Sequence, residues 1–478
     1  MDEKPNLINI GKKSFLSVVI ILFVLMIAAG IMTRTIPAGE YLRDAEDQII
    51  PGSFAFLTED VAFPIWKWFL APFLVVGSSD ALMIIMIAVF LLILGGTFTI
   101  MDKTGGIKVM IKKLINRYQN KKYTLLRLVI LVFMVFGAFF GIFEESVALL
   151  PIMIMLSLSL GFDTMVGISI CLLAAGFGFA SALTNPFSVG IASTIAGVSI
   201  LSGFLYRLGV FGLMYLLLSW FVVRYAKKIE KDPSKSLTFE EDQAKVKNFD
   251  LREEIKYQNE NLIFKSYLLM FLSVLLIIVL LSVLELVDVL SISAIPFIAL
   301  AFLIGGLVSG SLITGKFTTA LKMFLKGVLS VLPAVLMILM AASVKYIISE
   351  GKVIDSILYY LANILTGQGA IVGILLIYAL VLVLQFFIGS ASAKAYLIMP
   401  LLVPLVSLIG ISSELSILAF VFGDGYTNVI FPTNAVLLIG LSIASVSYAK
   451  WFRFTWALQG ITLLLTVLLL IGAYYIGY

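Results

Sequence analysis

Residues 128–161 read LVILVFMVFGAFFGIFEESVALLPIMIMLSLSLG. This stretch is the most informative part of the sequence for predicting the architecture. The stretch is longer than the ~20 apolar residues with which one helix crosses a bilayer. Two adjacent acids, Glu144 and Glu145, interrupt it, and carboxylates in mid-hydrocarbon cannot face lipid. A re-entrant helical hairpin, which enters and leaves the membrane on one side and turns at Gly141–Ser146, accounts for both the length and the acids.

The whole chain has the composition of a membrane protein. Of its 478 residues, 61% are hydrophobic and 13% are charged. That balance excludes a soluble globular protein and predicts an all-α polytopic membrane protein. There is no histidine and one cysteine, Cys171, so disulfides, histidine metal sites and histidine acid–base catalysis are excluded. We interpret the net charge of +5 as a signal of membrane orientation, without affinity for nucleic acid.

A second long apolar block, residues 164–200, is interrupted at Thr184, Asn185 and Pro186. Proline lacks a backbone donor and disfavours helix for the residue before it. We therefore expect a broken transmembrane helix at this point. For a single break, the alternative is a packing kink whose polar groups are satisfied by neighbouring helices.

The second half repeats both features. A hairpin is expected over residues 369–410, with its tip at Gly389–Lys394, and a broken helix over residues 412–447. Superposing the two halves of the sequence brings helix-breaking residues into register. The matched pairs are Pro151 with Pro400, Gly161 with Gly410, Gly176 with Gly425, Thr184 with Thr433, Asn185 with Asn434 and Ser193 with Ser442.

The connector before each hairpin differs between the halves. Eight basic residues lie in 103–127, whereas Lys352 is the one basic residue in 352–369. Because positively charged loops stay in the cytoplasm, the two connectors lie on opposite sides of the membrane. This predicts an inverted repeat with about nine transmembrane helices, two re-entrant hairpins and two broken helices.

The expected organisation is a first repeat in residues 1–224, a cytoplasmic linker in 225–265, a connecting helix in 266–289 and a second repeat in 290–478. The first apolar block is too long for a signal peptide, so we expect it to remain as a helix. The protein is then a multi-pass protein of the cytoplasmic membrane, with its N-terminus in the cytoplasm and its C-terminus outside.

Both tips and both breaks offer polar groups for a ligand near the membrane midplane. Unwound backbone at that depth must be satisfied by protein or by a water-filled cavity, and half-helix ends present partial charges there. The candidate substrate- or ion-binding residues are Glu144, Glu145, Ser146, Thr184, Asn185, Pro186, Ser390, Ser392, Lys394, Asp424, Asn428, Thr433 and Asn434.

The charged candidate residues indicate the sign of the ligand's charge. Glu144, Glu145 and Asp424 outnumber Lys394 by three to one, which favours a cation or an exchangeable proton over a dianion. In another interpretation, Lys394 forms a structural ion pair with one of the two glutamates. Asn428 lies one turn beyond Asp424 and can share its helix face.

Other classes of function fit less well. An enzyme would need a nucleophile with a base or a metal cluster, and the sequence offers neither. Nucleotide-binding glycine motifs are also missing, and hairpins in inverted repeats suit alternating access better than a channel. We therefore predict no catalytic residue, metal site or cofactor, and a proton or a sodium ion as the coupling ion.

Three motifs resemble those of the C4-dicarboxylate anaerobic carrier-like family of the ion transporter superfamily, in particular its YfcC-like branch of basic amino acid antiporters. The resemblance runs through Gly141–Ser199 and Phe386–Phe454. It implies a secondary transporter with a scaffold domain, a hairpin-bearing transport domain and a homodimeric assembly. The motifs are the Glu144-Glu145 turn, Thr184-Asn185-Pro186-Phe187 with Gly190, and Phe422-Gly423-Asp424-Gly425-Tyr426-Thr427-Asn428 followed by Pro432-Thr433.

The leading hypothesis is a secondary transporter or exchanger of cationic amino acids, such as arginine or ornithine, working by elevator-type alternating access. The three acids would neutralise the substrate side chain or a coupling proton, while the tip serines and the residues of the breaks would hold its backbone carboxylate and amine. The alternative is a C4-dicarboxylate or other organic-anion carrier, in which Lys394 and half-helix N-termini take the carboxylates.

Overall fold

The structure is a computed structural model that describes residues 12–43, 50, 52–57, 63–118, 121–248, 259–286, 295–365, 368–408 and 410–478. Within these residues the chain is almost entirely helical. Two short strands, β1 (Gly39–Glu40) and β2 (Ala55–Phe56), pair antiparallel with Gly39 opposite Phe56. The helices of the first half are α1 (Lys12–Thr35), α2 (Ile65–Leu74), α3 (Ala81–Lys103), α4 (Gly106–Tyr118), α5 (Lys122–Phe140), α6 (Leu150–Ser159), α7 (Thr164–Ile168), α8 (Ala174–Ser181), α9 (Ile191–Ala196) and α10 (Phe204–Lys231).

The linker and the second half contain ten further helices. Polar residues begin several of them, as expected for side chains that accept hydrogen bonds from the first turn: Ser412 accepts from Leu415 N and Ser447 from Lys450 N. The helices are α11 (Phe239–Asn248), α12 (Glu260–Leu286), α13 (Ile295–Thr314), α14 (Phe317–Glu350), α15 (Ile354–Leu365), α16 (Ala370–Phe387), α17 (Ala391–Leu408), α18 (Ser413–Gly425), α19 (Ala435–Ile443) and α20 (Tyr448–Tyr475).

Nine helices of the described chain are long and apolar enough to cross a membrane, which confirms the polytopic membrane fold. These nine helices do not correspond one for one to the nine transmembrane helices that the sequence predicts. They include the first arms of both hairpins, α5 and α16, and the unbroken run Thr164–Ser181. Helix α14 has 34 residues, more than the ~20 that one crossing of the membrane needs.

Helix α20 defines the two faces of the molecule. Its 28 residues span ~42 Å at 1.5 Å per residue. Near its start, Lys450 Nζ lies 2.5 Å from Glu241 of α11, so we call this the linker face. Beyond its other end, the carbonyl oxygen of Tyr478 accepts from Ser412 Oγ at 2.7 Å, at what we call the distal face.

The two hairpins open on opposite faces, as the inverted repeat requires. In hairpin 1 (α5 and α6), the rings of Tyr123 at the start and Phe162 just past the end lie 6.0 Å apart on the linker face. In hairpin 2 (α16 and α17), Tyr378 of the first arm bonds Thr466 in the distal half of α20 at 2.8 Å. Its second arm leads back to Ser412 on the distal face.

The helices pack into two groups. The outer group contains α1 to α3 and α12 to α14, and the hairpin group contains α5 to α10 and α16 to α20. Small residues allow close crossings in both groups. In the outer group, a Cβ on Gly327 would lie 2.3 Å from the carbonyl oxygen of Gly95. In the hairpin group, a Cβ on Gly178 of α8 would lie 2.0 Å from the carbonyl oxygen of Met134 in α5.

The described part of the predicted linker is largely helical. Helix α10 continues into it as far as Lys231, and α11 docks on both repeats. An oxygen of Asp242 accepts from the N–H of Thr164, at the start of α7, at 2.9 Å. Lys245 Nζ donates to the carbonyl oxygen of Ala444, just after α19, at 2.7 Å. Residues 249–258 and the predicted boundary at 289–290 lie outside the described residues.

Candidate functional site

The first break lies against the end of the first arm of hairpin 1. After α8 ends, the N–H groups of Leu183 and Thr184 both donate to the carbonyl oxygen of Ala138, at 2.8 and 3.2 Å. Thr184 Oγ1 donates to the carbonyl oxygen of Phe139 at 3.1 Å. The break therefore satisfies carbonyl groups that every helix leaves without partners at its C-terminal end.

Asn185 is fully buried within this break. Its Oδ1 accepts from the N–H of Phe187 at 3.0 Å, the local turn that asparagine favours. Gly141 ends α5 with φ of 68°, and a Cβ there would lie 2.6 Å from Asn185 Oδ1. Asn185 Nδ2 and the neighbouring Ser188 Oγ are buried and have no hydrogen-bond partner among the described residues. Buried polar atoms of this kind are rare, and both are available to a ligand.

The second break is held by a network of amides. Asn434 caps α19 by accepting from Leu437 N at 3.0 Å. Its Nδ2 donates to Asn428 Oδ1 at 2.8 Å, and Asn428 Nδ2 donates to the carbonyl oxygen of Asp424 at 3.1 Å. Gln385, near the end of the first arm of hairpin 2, also donates to Asn428 Oδ1. Each break is thus tied to the first arm of the hairpin in its own repeat.

Lys394 and Asp424 form a buried ion pair between α17 and α18. Their Nζ and Oδ1 atoms are 2.7 Å apart, and both side chains are 0% exposed. Lys394 Nζ also donates to the carbonyl oxygen of Ile388 at 2.7 Å. Asp424 Oδ2 has no hydrogen-bond partner among the described residues. The interpretation that Lys394 pairs with a glutamate is wrong, because its position in the first turn of α17 directs it onto α18.

Glu144 and Glu145 take no part in this ion pair. Neither forms an ion pair with a residue that the structure describes. Glu145 lines a cavity of about 590 Å³ between hairpin 1 and the outer group, and Glu144 lines a cavity of about 20 Å³ against α3 and α19. Successive residues of a 3₁₀ turn point ~120° apart, so the two acids of the turn Glu144–Ala148 face different cavities.

The remaining candidate residues differ in whether they contact a break. Ser392 Oγ of tip 2 lies 3.5 Å from the carbonyl oxygen of Phe187, so tip 2 touches the first break. Ser390 is exposed and accepts from Ala393 N at 3.3 Å. Ser146 is buried in tip 1 and bonds the carbonyl oxygen of Phe143. Thr433 is half-buried in the second break, and Pro186 begins the π-helical turn Pro186–Gly190.

Sequence reasoning missed two polar residues close to the breaks. Arg207 is 1% exposed, and its guanidinium donates to the carbonyl oxygen of Leu183, next to the first break, and to those of Ile200 and Ser202, beyond α9. Gln385 is buried, and its Oε1 lacks a partner among the described residues. The available signal was the presence of a single polar side chain inside an apolar block, which is costly unless it is satisfied.

A polar cavity of about 250 Å³ adjoins tip 2 at the distal face. Ile388 and Ala393 form its inner wall. Burial raises the pKa of Asp355 above its ordinary value, although the N–H of Tyr41 and the guanidinium of Arg43 oppose that shift. Three ion pairs surround the cavity, with N–O distances of 3.1, 2.6 and 2.6 Å: Arg43 with Asp355, Lys352 with Glu40 and Lys345 with Asp80.

Known proteins resemble this chain over most of its length. A relative in Escherichia coli strain K12, named "Putative basic amino acid antiporter YfcC", is 30% identical over 404 residues, which cover 82% of this chain and 78% of the relative. An uncharacterised protein of Haemophilus influenzae is 26% identical over 402 residues, covering 83% and 76%. The solved YdaH transporter of Alcanivorax borkumensis aligns with a TM-score of 0.43 at 16% identity, covering 97% of this chain and 98% of that one.

The family model described as "C4-dicarboxylate anaerobic carrier" matches residues 15–475, nearly the whole chain. This match and the similarity to YfcC indicate a secondary transporter, which moves a small molecule across the membrane, and exclude an enzyme. The chain therefore belongs to the C4-dicarboxylate anaerobic carrier family.

Proposed function

We propose that the protein exchanges basic amino acids, such as arginine and ornithine, across the cytoplasmic membrane. The observation that carries the proposal is the buried ion pair of Lys394 and Asp424. A neutral pair of opposite charges is complementary to the zwitterionic backbone of an amino acid, whose carboxylate and ammonium form charge-assisted hydrogen bonds with such groups. A dicarboxylate would bring two negative charges to a site whose lysine is already neutralised at 2.7 Å.

The two breaks would supply the hydrogen bonds that orient the substrate. Besides Asp424, the buried groups without hydrogen-bond partners among the described residues include three close to the breaks: Asn185 Nδ2, Ser188 Oγ and Gln385 Oε1. A ligand that binds such a group removes an unsatisfied polar atom, which is worth ~1–3 kcal/mol. Thr184, Ser390, Ser392, Asn428, Thr433 and Asn434 complete the proposed lining.

The cationic side chain of the substrate needs a further acid. Glu144 and Glu145 in tip 1 have no ion-pair partner among the described residues, so they provide the negative charge that the Lys394–Asp424 pair does not. The name of the Escherichia coli relative, a basic amino acid antiporter, also supports a basic substrate. The hairpin group would carry the substrate by sliding against the outer group, in a homodimer whose linker face lies in the cytoplasm.

A carrier of organic anions is the second candidate. The family description names C4-dicarboxylates, and three cations, Arg43, Lys345 and Lys352, line the distal cavity beside tip 2. Each of them is paired with a carboxylate, so an anion would have to displace an acid before it could bind there.

Exchange in liposomes tests the substrate class. Purified protein would be reconstituted with ornithine or succinate inside, then challenged with labelled arginine, alanine or succinate. We expect arginine to enter ornithine-loaded liposomes at least tenfold faster than succinate-loaded ones, and alanine to enter slowly. Exchange of succinate for succinate without any arginine uptake would replace the amino acid proposal with the organic-anion carrier.

A further inference from the structure

The largest cavity at tip 1 combines an apolar wall with one acid. It lies between hairpin 1 and helices α12 and α13 of the outer group, with a volume of about 590 Å³. Glu145 is the one acid among its lining residues. Arginine, whose volume is far smaller, would not fill a cavity of this size. Five phenylalanines contribute to the wall: Phe133, Phe136, Phe264, Phe271 and Phe302.

Few charged groups face Glu145 in this cavity. Glu144 is its neighbour in the 3₁₀ turn. Lys113 of α4 lines the cavity at the linker face, where its Nζ lies 3.3 Å from Asn261 Oδ1 and 3.9 Å from the centre of the Phe264 ring. The lining residues of α5, α6, α12 and α13 are uncharged. In the part of the chain that the structure describes, no cation forms an ion pair with Glu145.

Because Glu145 lies between the two helix groups, its charge affects how easily one group can slide past the other. In the proposed transport cycle the hairpin group moves against the outer group, and this motion would carry Glu145 along the phenylalanine side chains of α12 and α13 that line the cavity. A carboxylate that slides over such a wall without a counter-ion is strongly disfavoured, whereas a protonated carboxyl is neutral. An unpaired acid inside the membrane is for this reason a functional candidate by default.

We infer that Glu145 carries the coupling proton, and that binding of one proton to its carboxylate allows the hairpin group to slide without a cationic substrate. The inference rests on the proposed function, because it treats the protein as an exchanger of a cation. One proton would then move against one singly charged amino acid, so that a cycle transfers no net charge.

A substrate-free measurement tests the proton site directly. The infrared spectrum of reconstituted protein would be recorded during a pH titration, following the carbonyl stretch of protonated carboxyl groups. We expect one such band to be lost in Glu145→Gln and retained in Glu144→Gln. The exposed Glu350 supplies a matched control, since Glu350→Gln changes the same functional group outside the cavity. A Glu145→Gln spectrum identical to wild type would overturn the inference.

Proton movement supplies the second measurement. Liposomes with an internal pH dye should report protons leaving as arginine enters, and the initial rate should change roughly tenfold per unit of imposed pH gradient when one group controls it. Whatever exchange remains in Glu145→Gln should ignore the gradient. Should succinate prove to be the substrate, the basic amino acid proposal fails, while both measurements, repeated with succinate, still decide whether Glu145 binds the proton.

Discussion

Hairpin 1 turns through the 3₁₀ segment Glu144–Ala148, and hairpin 2 starts its second arm at Ala391, almost directly after the first. The acids of tip 1 have no ion-pair partner among the described residues, whereas Lys394 beyond tip 2 lies 2.7 Å from Asp424. Tip 1 faces an apolar cavity, and tip 2 adjoins a polar one. The two repeats share the same arrangement of helices, but their charged residues differ. Equivalent positions in the two repeats can therefore have different roles in the transport cycle.

Breaking the ion pair beyond tip 2 should have the largest effect. Lys394→Met and Asp424→Asn each leave one buried group without its partner, which typically costs ~3–5 kcal/mol of folding free energy. Thermal unfolding in detergent should show both single variants strongly destabilised. The double variant should recover part of the loss, because it removes both charges. Glu145→Gln, at the unpaired tip, serves as the contrast and should melt close to wild type.

If the Lys394 and Asp424 variants melted like wild type, the two tips would not differ in the way the ion pair suggests. Uptake measured beside stability then separates the roles. A variant that melts normally but no longer transports would assign its residue to the substrate and not to the fold.

Replacing a glycine by alanine at a helix crossing should also destabilise the two repeats to different extents, but this effect should be smaller than that of breaking the ion pair. A Cβ on Gly178 of α8 would lie 2.0 Å from the backbone carbonyl oxygen of Met134, whereas a Cβ on Gly423 of α18 would lie 2.7 Å from Val381 Cβ and 3.2 Å from the carbonyl oxygen of Tyr378. The overlap at Gly178 is therefore the more severe one. We expect Gly178→Ala to lose ~1–3 kcal/mol through overpacking and Gly423→Ala to lose less. Equal melting temperatures for the two variants would contradict this asymmetry.

Alanine variants of the two break asparagines should show the smallest difference in folding stability. Asn434 caps α19, so Asn434→Ala should lose ~1 kcal/mol of folding free energy. Asn185 accepts from Phe187 N within a turn, and its Nδ2 is unpartnered among the described residues, so Asn185→Ala should be milder. Both should abolish uptake. Normal transport in both variants would mean that the breaks are only packing kinks.

The sequence predicted the backbone plan well because proline, asparagine and glycine restrict the chain locally. The breaks at Asn185 and Asn434 and the turn at Gly141 follow from those restrictions. The partner of Lys394 did not follow, since the side chain that meets it depends on how α17 packs against α18. Arg207 and Gln385 were missed because a single polar residue in an apolar block does not reveal which carbonyl or amide satisfies it.

Helix α11 also bears on how the protein is made. A chain that emerges from the ribosome completes α7 first, then α11, and α19 much later. Asp242 can therefore bind the start of α7 early, but Lys245 cannot reach the carbonyl oxygen of Ala444 until the second repeat has been synthesised and inserted. The bond between α11 and Ala444 therefore joins the first repeat to a part of the second repeat that is synthesised much later, shortly before α20.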